Sequence, residues 1–297
     1  MNKLRRKRRR NALEFLGFTF PAVAVIFLFV GLPFLMCIYY SFQKWNGIQK
    51  KVSFIGLQNY IRAFTDDSTF VGSIAYTLLY ALLTVILINV IALLLSVVLE
   101  QSNLFAKGFF RAAFYIPNII SLIIIGFVWK FIFSRAFEAM QNATGAAAFG
   151  WSWLGDPKLA VVSTVLVTVW QSLGFYMLIY IAGLQSVPED VMEAATIDGA
   201  GKARRFFSVV LPLIAPSVTV CTFYSIANSL KMFELIFSLT GGGPGSATTS
   251  VALDIYNTAF NSNQYGYGSA KSVILFVMVA VITVLQVTVF KKREVEA

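Results

Sequence analysis

Six long runs of apolar positions succeed one another along the chain, near Phe15–Tyr40, Val71–Leu99, Phe109–Phe133, Leu159–Leu184, Leu211–Leu239 and Gly268–Phe290. A helix crosses the hydrocarbon core of a bilayer with about 20 apolar residues, so each run predicts a membrane span. The expected fold class is therefore all-α and integral to the membrane, a six-span polytopic helical bundle. The first run exceeds the roughly 7–15 apolar residues of a signal peptide and no small-residue cleavage site follows it, so it is expected to stay in the mature protein. Pro21, Pro33, Pro117, Pro212 and Pro216 fall in or at the edges of these runs and predict kinks, which neighbouring helices or water can satisfy. The runs divide the chain into a basic tail over residues 1–14, a transmembrane domain over 15–290 and a short tail over 291–297. Within the domain, the connections over 185–210 and 240–267 stand out.

The polar positions between the runs set the orientation. With the N-terminus in the cytosol, the inner segments collect 15 lysines and arginines, against 6 in the outer ones. The inner set is Lys3, Arg5, Arg6, Lys7, Arg8, Arg9, Arg10, Lys107, Arg111, Lys202, Arg204, Arg205, Lys291, Lys292 and Arg293, and the outer set is Lys44, Lys50, Lys51, Arg62, Arg135 and Lys158. The positive-inside rule then puts both termini in the cytosol. Overall, 58% of residues are hydrophobic and 13% charged, about half the charged share of an average soluble domain. The net charge of +10 comes largely from the run "MNKLRRKRRR", which beside a span fixes orientation and does not call for a nucleic-acid partner.

Little catalytic chemistry is available. The chain has no histidine, and Cys37 and Cys221 sit alone in apolar runs, which suits packing and suggests neither a disulfide nor a metal site. The only Gly-Lys pair, Gly201-Lys202, lacks the upstream glycine and following hydroxyl of a phosphate-binding loop. No catalytic, cofactor-binding or metal-ligating residue is expected.

Two connections and two spans carry the remaining signal. In "SVPEDVMEAATIDGAGKARR", Ser186 and Glu189 have capping-box spacing and Pro188 suits a first turn, so a short helix is expected from near Val187. Gly199 can supply the left-handed cap that ends it near Asp198. Ala194 and Ala195 keep this cytosolic helix thin and Glu193 adds a carboxylate, a surface suited to a socket on another protein or to packing on its own bundle. On the opposite side, Gly241, Gly242, Gly243 and Pro244 give a backbone that can turn sharply and approach another surface closely. Thr168, Trp170, Gln171, Ser172, Phe175 and Tyr176 make the fourth span polar and aromatic. The fifth carries Ser225, Asn228, Ser229, Lys231, Met232 and Glu234. Such residues either hydrogen-bond between helices or line a path for a polar substrate. Lys231 and Glu234, three positions apart, either anchor at the interface or line that path. Lys130 is expected to snorkel.

"EAATIDGAG" followed by "VVLP" resembles the EAA signature of bacterial ABC importer permeases, with Glu193, Ala194, Ala195, Gly199, Leu211 and Pro212 in register and Val209 replacing an isoleucine. The stretches "IGLQNYIRAF", "YIPNIISLIIIGFVWKFIF", "LTGGGP" and "GYGSAKSVILF" extend the likeness to the carbohydrate-type branch of maltose and glycerol-phosphate importer permeases, type I in fold. "LTGGGP" is similar to the MalF-like member of the permease pair. The resemblance implies that Glu193, Ala194, Ala195, Asp198 and Gly199 couple to a cytosolic ATPase. It also implies that Thr168, Gln171, Ser172, Phe175, Ser225, Asn228, Ser229 and Met232 lie at or beside sugar-contact positions. The implied partners are a second, MalG-like permease, two ATPase subunits that hold ATP and magnesium, an extracytoplasmic sugar-binding protein and the bilayer of a bacterial inner membrane. The expected function is ATP-driven, binding-protein-dependent import of a carbohydrate, an oligosaccharide by preference, through alternating access. Glycerol phosphate as substrate and ion-coupled secondary transport are the alternatives.

Overall fold

The computed structural model describes residues 15, 17–49, 52–101 and 106–291. The basic N-terminal tail, Lys50, Lys51, Lys292 and Arg293 lie outside them. Among the described residues the architecture is helical apart from one two-stranded antiparallel ribbon, β1 (Gln43–Lys44) and β2 (Ser53–Phe54). Among the described residues four helices are long and apolar enough to cross a membrane: α1 (Gly17–Ser41), α3 (Ser68–Gln101), α6 (Pro157–Gln185) and α12 (Tyr265–Lys291). Two bent pairs raise the number to six if each pair is one span. They are α4 (Lys107–Ile119) with α5 (Leu122–Thr144), bent by 96°, and α8 (Lys202–Leu213) with α9 (Ala215–Ser229), bent by 71°. Shorter helices are α2 (Gln58–Thr65), α7 (Glu189–Ile197), α10 (Glu234–Leu239) and α11 (Val251–Tyr256).

The expected third and fifth spans are thus broken. Pro117 sits in the last turn of α4 without an N–H for its ladder, and Ile120 and Ser121 take extended ψ angles of 138° and 134° before α5 begins. In the fifth run Pro212 and Pro216 flank the break at Ile214, and a second break over residues 230–233 separates α9 from α10. The run Leu211–Leu239 is therefore three helical pieces.

The chain divides into two compact units, residues 1–63 with 255–274 and residues 64–254 with 275–297. In the first, Asn59 Nδ2 donates to the carbonyls of Ser41 (2.9 Å) and Gln43 (3.0 Å), and the Tyr60 hydroxyl donates to Ser41 Oγ (2.7 Å). These bonds fasten α2 to the end of α1. Trp45 stacks on Tyr40, and a Cβ at Gly266 would overlap the Gln43 carbonyl, so the start of α12 runs against the ribbon. Lys271, 1% exposed, donates from Nζ to Thr258 Oγ1 (2.9 Å) and lies 4.6 Å from the Tyr267 ring centre. Sequence reading passed over this lysine although "GSAKSVILF" sets it inside an apolar run.

In the second unit α3 and α6 pack along their length, with α9 and α4 against them. Buried hydroxyls join them. Tyr76 Oη pairs with Thr164 Oγ1 (3.0 Å), Tyr80 Oη with Thr168 Oγ1 (2.6 Å) and Thr84 Oγ1 with Ser229 Oγ (2.9 Å). Asn89 donates to Ser225 Oγ (3.1 Å) and accepts from Tyr180 (2.7 Å), while Ser96 donates to the Met177 carbonyl (2.9 Å). Small residues permit close approach elsewhere. A Cβ at Gly174 of α6 would overlap the Phe114 carbonyl of α4, one at Gly183 would overlap Ser217 Oγ, and one at Gly126 would overlap Ser238 Oγ.

Because the obstruction at Gly174 is backbone, Gly174→Val should overpack the α4–α6 contact at a cost of about 1–3 kcal/mol. Thermal unfolding of the purified, detergent-solubilised protein should show a lower midpoint for it and no loss for Gly108→Ala, which has open space around it. Equal midpoints for both variants and the parent would contradict the packing described.

Candidate functional site

The breaks in the helices and the polar wall of α6 meet at one cavity of about 470 Å³ in the second unit. Its polar lining is Asn118 from the end of α4, Thr168, Gln171, Ser172 and Tyr176 from α6, Tyr224, Asn228 and Ser229 from α9, and Lys231 and Glu234 from the 230–233 break and the start of α10. Ile88, Leu122, Phe175 and Met232 supply apolar surface. Irregular backbone at membrane depth is tolerated where it faces protein or a water-filled space. Both the α4–α5 break and the α9–α10 break satisfy that condition here.

Seven of the eight path residues expected from sequence line this cavity: Thr168, Gln171, Ser172, Phe175, Asn228, Ser229 and Met232. Ser225 does not, being buried and taking the bond from Asn89. The seven differ in what they can offer. Thr168 donates to the Thr164 carbonyl (2.9 Å) and meets Tyr80, Ser172 donates to the Thr168 carbonyl (2.6 Å), and Ser229 is joined to Thr84. The Gln171 amide makes no side-chain hydrogen bond among the described residues, and Asn228 lies beside Tyr176. Phe175 sits 5.1 Å from Tyr224 and 5.4 Å from Tyr176, ring centre to ring centre. Gln171, Asn228, Lys231 and Glu234 with these rings therefore provide donors, acceptors and flat apolar faces in one space.

Lys231 and Glu234 line this cavity without joining in an ion pair among the described residues. The helical spacing that would pair them is interrupted, since α9 ends at Ser229 and Glu234 opens α10. Asn118, Tyr224 and Ile88 were not singled out from sequence. Asn118 had a signal, a lone amide after Pro117 inside an apolar run.

The short helix expected near Val187 is α7, and its end is as anticipated. Gly199 has φ +75°, its N–H bonds the Thr196 carbonyl (3.1 Å), and the Ala200 N–H reaches Ala195 (3.0 Å), the bond pair of a left-handed glycine cap. Its start differs. Ser186 ends α6 with its hydroxyl on the Gly183 carbonyl (2.7 Å), Pro188 occupies the N-cap, and no side chain caps α7, so the capping box is not made. The hydroxyl is taken by the preceding helix, whose last carbonyls need a donor. Arg205 donates to Thr196 Oγ1 (2.7 Å) and ties α7 to α8. Glu193, Ala194, Asp198 and Gly199 are exposed and Ala195 is half-buried. Beside them Ile197 is 86% exposed, an apolar side chain held out at the end of α7 that sequence reading did not select.

The glycine-rich connection is tightly folded. Gly241, Gly242 and Gly245 have φ of +61°, +89° and +53°. Thr248 Oγ1 bonds Thr240 Oγ1 (2.8 Å) and the Gly243 carbonyl (2.6 Å), Ser250 bonds the Met232 carbonyl (2.7 Å), and the Val251 N–H bonds Thr77 (3.0 Å). Gly242 faces inward, where a Cβ would stand 2.6 Å from Thr249 Oγ1. Gly241 is exposed and Gly243 and Pro244 are half-buried, so the approachable backbone lies at Gly241 and towards Gly245.

The different duties of these polar groups predict different mutational costs. Thr84→Val removes the bond that joins α3 to Ser229 and should cost about 0.5–1.5 kcal/mol, whereas Gln171→Leu removes no protein–protein bond and should stay within about 0.5 kcal/mol. Unfolding midpoints of the two variants check this, and a larger loss at Gln171 would mean that its amide is a packing element.

Comparison with known proteins adds a family and a set of relatives. The family described as binding-protein-dependent transport system inner membrane component matches residues 88–294. A probable starch degradation products transport system permease protein, AmyD of Thermoanaerobacterium thermosulfurigenes, is 42% identical over 287 residues, 97% of each chain. The multiple sugar-binding transport system permease protein MsmF of Streptococcus mutans is 35% identical, covering 97% of this chain and 99% of its own. The trehalose/maltose transport system permease protein MalF of Thermococcus litoralis is 33% identical over 92% of each. In fold, the chain is similar to a crystal structure of a bacterial ABC transporter involved in import of the acidic polysaccharide alginate. The TM-score is 0.82 at 19% identity, over 98% of this chain and 99% of that one.

Proposed function

Since the chain belongs to the binding-protein-dependent transport system inner membrane components, we propose that its cavity is one wall of the path by which an ATP-driven importer carries a carbohydrate, an oligosaccharide by preference, across the membrane. The observation that carries this reading is the cavity lining. Amide, hydroxyl and aromatic groups converge there, and Gln171 is not used up in holding helices together. A sugar presents many hydroxyls and a few apolar C–H faces, and such a lining can match both. The names of the relatives, concerned with starch products, multiple sugars and trehalose or maltose, point the same way. Glycerol phosphate is the alternative substrate, and relatives named for it are 30–31% identical. Glu234 in the same lining as Lys231 favours a neutral sugar, because a phosphate dianion would meet a carboxylate along with the ammonium.

In this reading each bent pair is one span, giving six, and both termini lie in the cytosol of a bacterial cell. The α7 helix then faces a cytosolic ATPase. Glu193, Ala194, Ala195, Asp198 and Gly199 form the docking ridge and Ile197 its apolar anchor. The approachable backbone at Gly241 and Gly245 faces the extracytoplasmic sugar-binding protein. A second, MalG-like permease closes the other side of the path, and two ATPase subunits hold the ATP and magnesium. Motion of the ATPases reaches the cavity through α7, tied to α8 by Arg205 and leading, across the break at Ile214, to α9 and its wall residues Asn228 and Ser229.

Two experiments on the reconstituted complex test path and coupling separately. Phe175→Ala and Asn228→Leu should each lower uptake of the transported sugar about tenfold and shift sugar preference, with assembly and basal ATPase activity retained. Wild-type uptake and selectivity in both would place the sugar elsewhere. Ile197→Asp should leave this chain folded and lower recovery of the ATPase in copurification about tenfold, since an apolar anchor is replaced by a charge. Undiminished recovery with sugar-stimulated hydrolysis would remove Ile197 from the docking surface.

A further inference from the structure

A second concave site lies at the far end of α5 from the cavity. It has a volume of about 350 Å³ and is formed by the last turns of α5 and the connection to α6. Its floor is aromatic. Phe133, 6% exposed, stacks on Trp153 at 5.4 Å, Phe137 meets Trp153 at 5.7 Å and Phe149 at 5.2 Å, and Trp151 lies 5.9 Å from Trp153. The Trp153 indole N–H donates to the Ala148 carbonyl (3.0 Å), which fixes that ring in place. Trp151 is different. It is 52% exposed, and its indole N–H has no acceptor among the described residues.

Polar groups enter the same pocket. Ser134, Glu138, Gln141 and Ser152 line it. The Gln141 amide packs where a Cβ at Gly150 would sit, so the glycine makes room for it, and it has no side-chain hydrogen bond among the described residues. Glu138 is exposed and stands 4.0 Å from Arg135. The pocket thus offers an unengaged indole N–H, a positioned amide, a carboxylate and a hydroxyl around flat rings. An aromatic belt at headgroup level would need the rings alone. Arg135 is ion-paired to Glu138 and stands outside the lining, so the carboxylate, amide and hydroxyl gathered over those rings suit a polyhydroxylated ligand better than anionic lipid. From this floor a line of rings, Phe133 to Trp129 at 5.2 Å and Trp129 to Trp170 at 5.4 Å, leads to the residue next to Gln171 of the cavity.

We propose that this pocket is a second carbohydrate site, which holds the saccharide at the outer end of the path before it enters the cavity; the assignment rests on the reading of the chain as a sugar importer. Trp151 stacks on a sugar face, and Gln141 and Glu138 take its hydroxyls.

The intact complex in lipid nanodiscs is the material for the test, with maltopentaose, cellopentaose and raffinose as probes. The probe that is transported should protect Trp151 from oxidation by N-bromosuccinimide, read by peptide mass spectrometry, and Gln141→Leu should abolish the protection. Trp151→Ala should raise the KM for uptake about three- to tenfold with the maximal rate kept, and Trp151→Phe, which keeps a ring for stacking but has no indole N–H, should bring the KM back towards the parent value. Transport of a probe with no protection of Trp151 and an unchanged KM in Trp151→Ala would overturn the second site while leaving the import reading intact. Protection that follows transfer from detergent to lipid and ignores sugar would overturn it too, in favour of a membrane anchor. Failure of the parent complex to transport any saccharide, with phosphate esters carried instead, would overturn both readings.

Discussion

Lipid gives helices no hydrophobic reason to associate, since the tails are as apolar as the side chains, so a membrane bundle depends on polar bonds and close approach between helices. In this chain that role falls to the hydroxyl and amide groups set along α3. Tyr76, Tyr80, Thr84, Asn89 and Ser96 each bond to α6 or α9, and the positions where a Cβ would not fit, Gly174 and Gly183, draw α6 against α4 and α9. With α3 and α6 fixed by these bonds, the remaining pieces need not be continuous helices. The broken segments are stable because they lean on a bonded frame.

The breaks are also what make the site. A continuous α-helix hides its backbone and offers one stripe of side chains to its interior, whereas the ends at Ile119 and Ser229 turn the chain aside and leave room. Asn118, Leu122, Lys231, Met232 and Glu234 all lie in or beside a break and all line the cavity. Across from them Gln171 and Phe175, one turn apart on α6, supply an amide and a ring from a rigid support. The division of labour follows from the hydrogen bonds. Thr168 and Ser229 face the cavity yet hold the frame, while Gln171 does not.

The apolar helices and most of this lining were legible in the residues because their signals are local. A polar position in an apolar run marks Gln171 or Asn228 without knowledge of the fold, and the left-handed glycine cap at Gly199 needs nothing beyond its own turn. The breaks were legible only in part, since a proline in a span predicts a kink of unstated size and the bend that follows Pro117 is 96°. The missing capping box at Ser186 shows the limit of spacing rules, because the hydroxyl had two possible customers and the carbonyl of Gly183 took it. Tyr224 and Ile197 could not be found by pattern. An aromatic or an isoleucine in an apolar sequence is ordinary until the fold decides whether it meets a cavity, lipid or open space.

As proposed, the cavity between α4, α6, α9 and α10 carries the sugar. An electron cryomicroscopy map of the assembled transporter, trapped during turnover with hydrolysis-deficient ATPases and a transported saccharide, addresses this most directly. Ordered sugar density is expected against Phe175, within hydrogen-bond distance of Gln171 and Asn228. A map with the saccharide resolved elsewhere in the membrane region, and only lipid or protein filling this cavity, would contradict it.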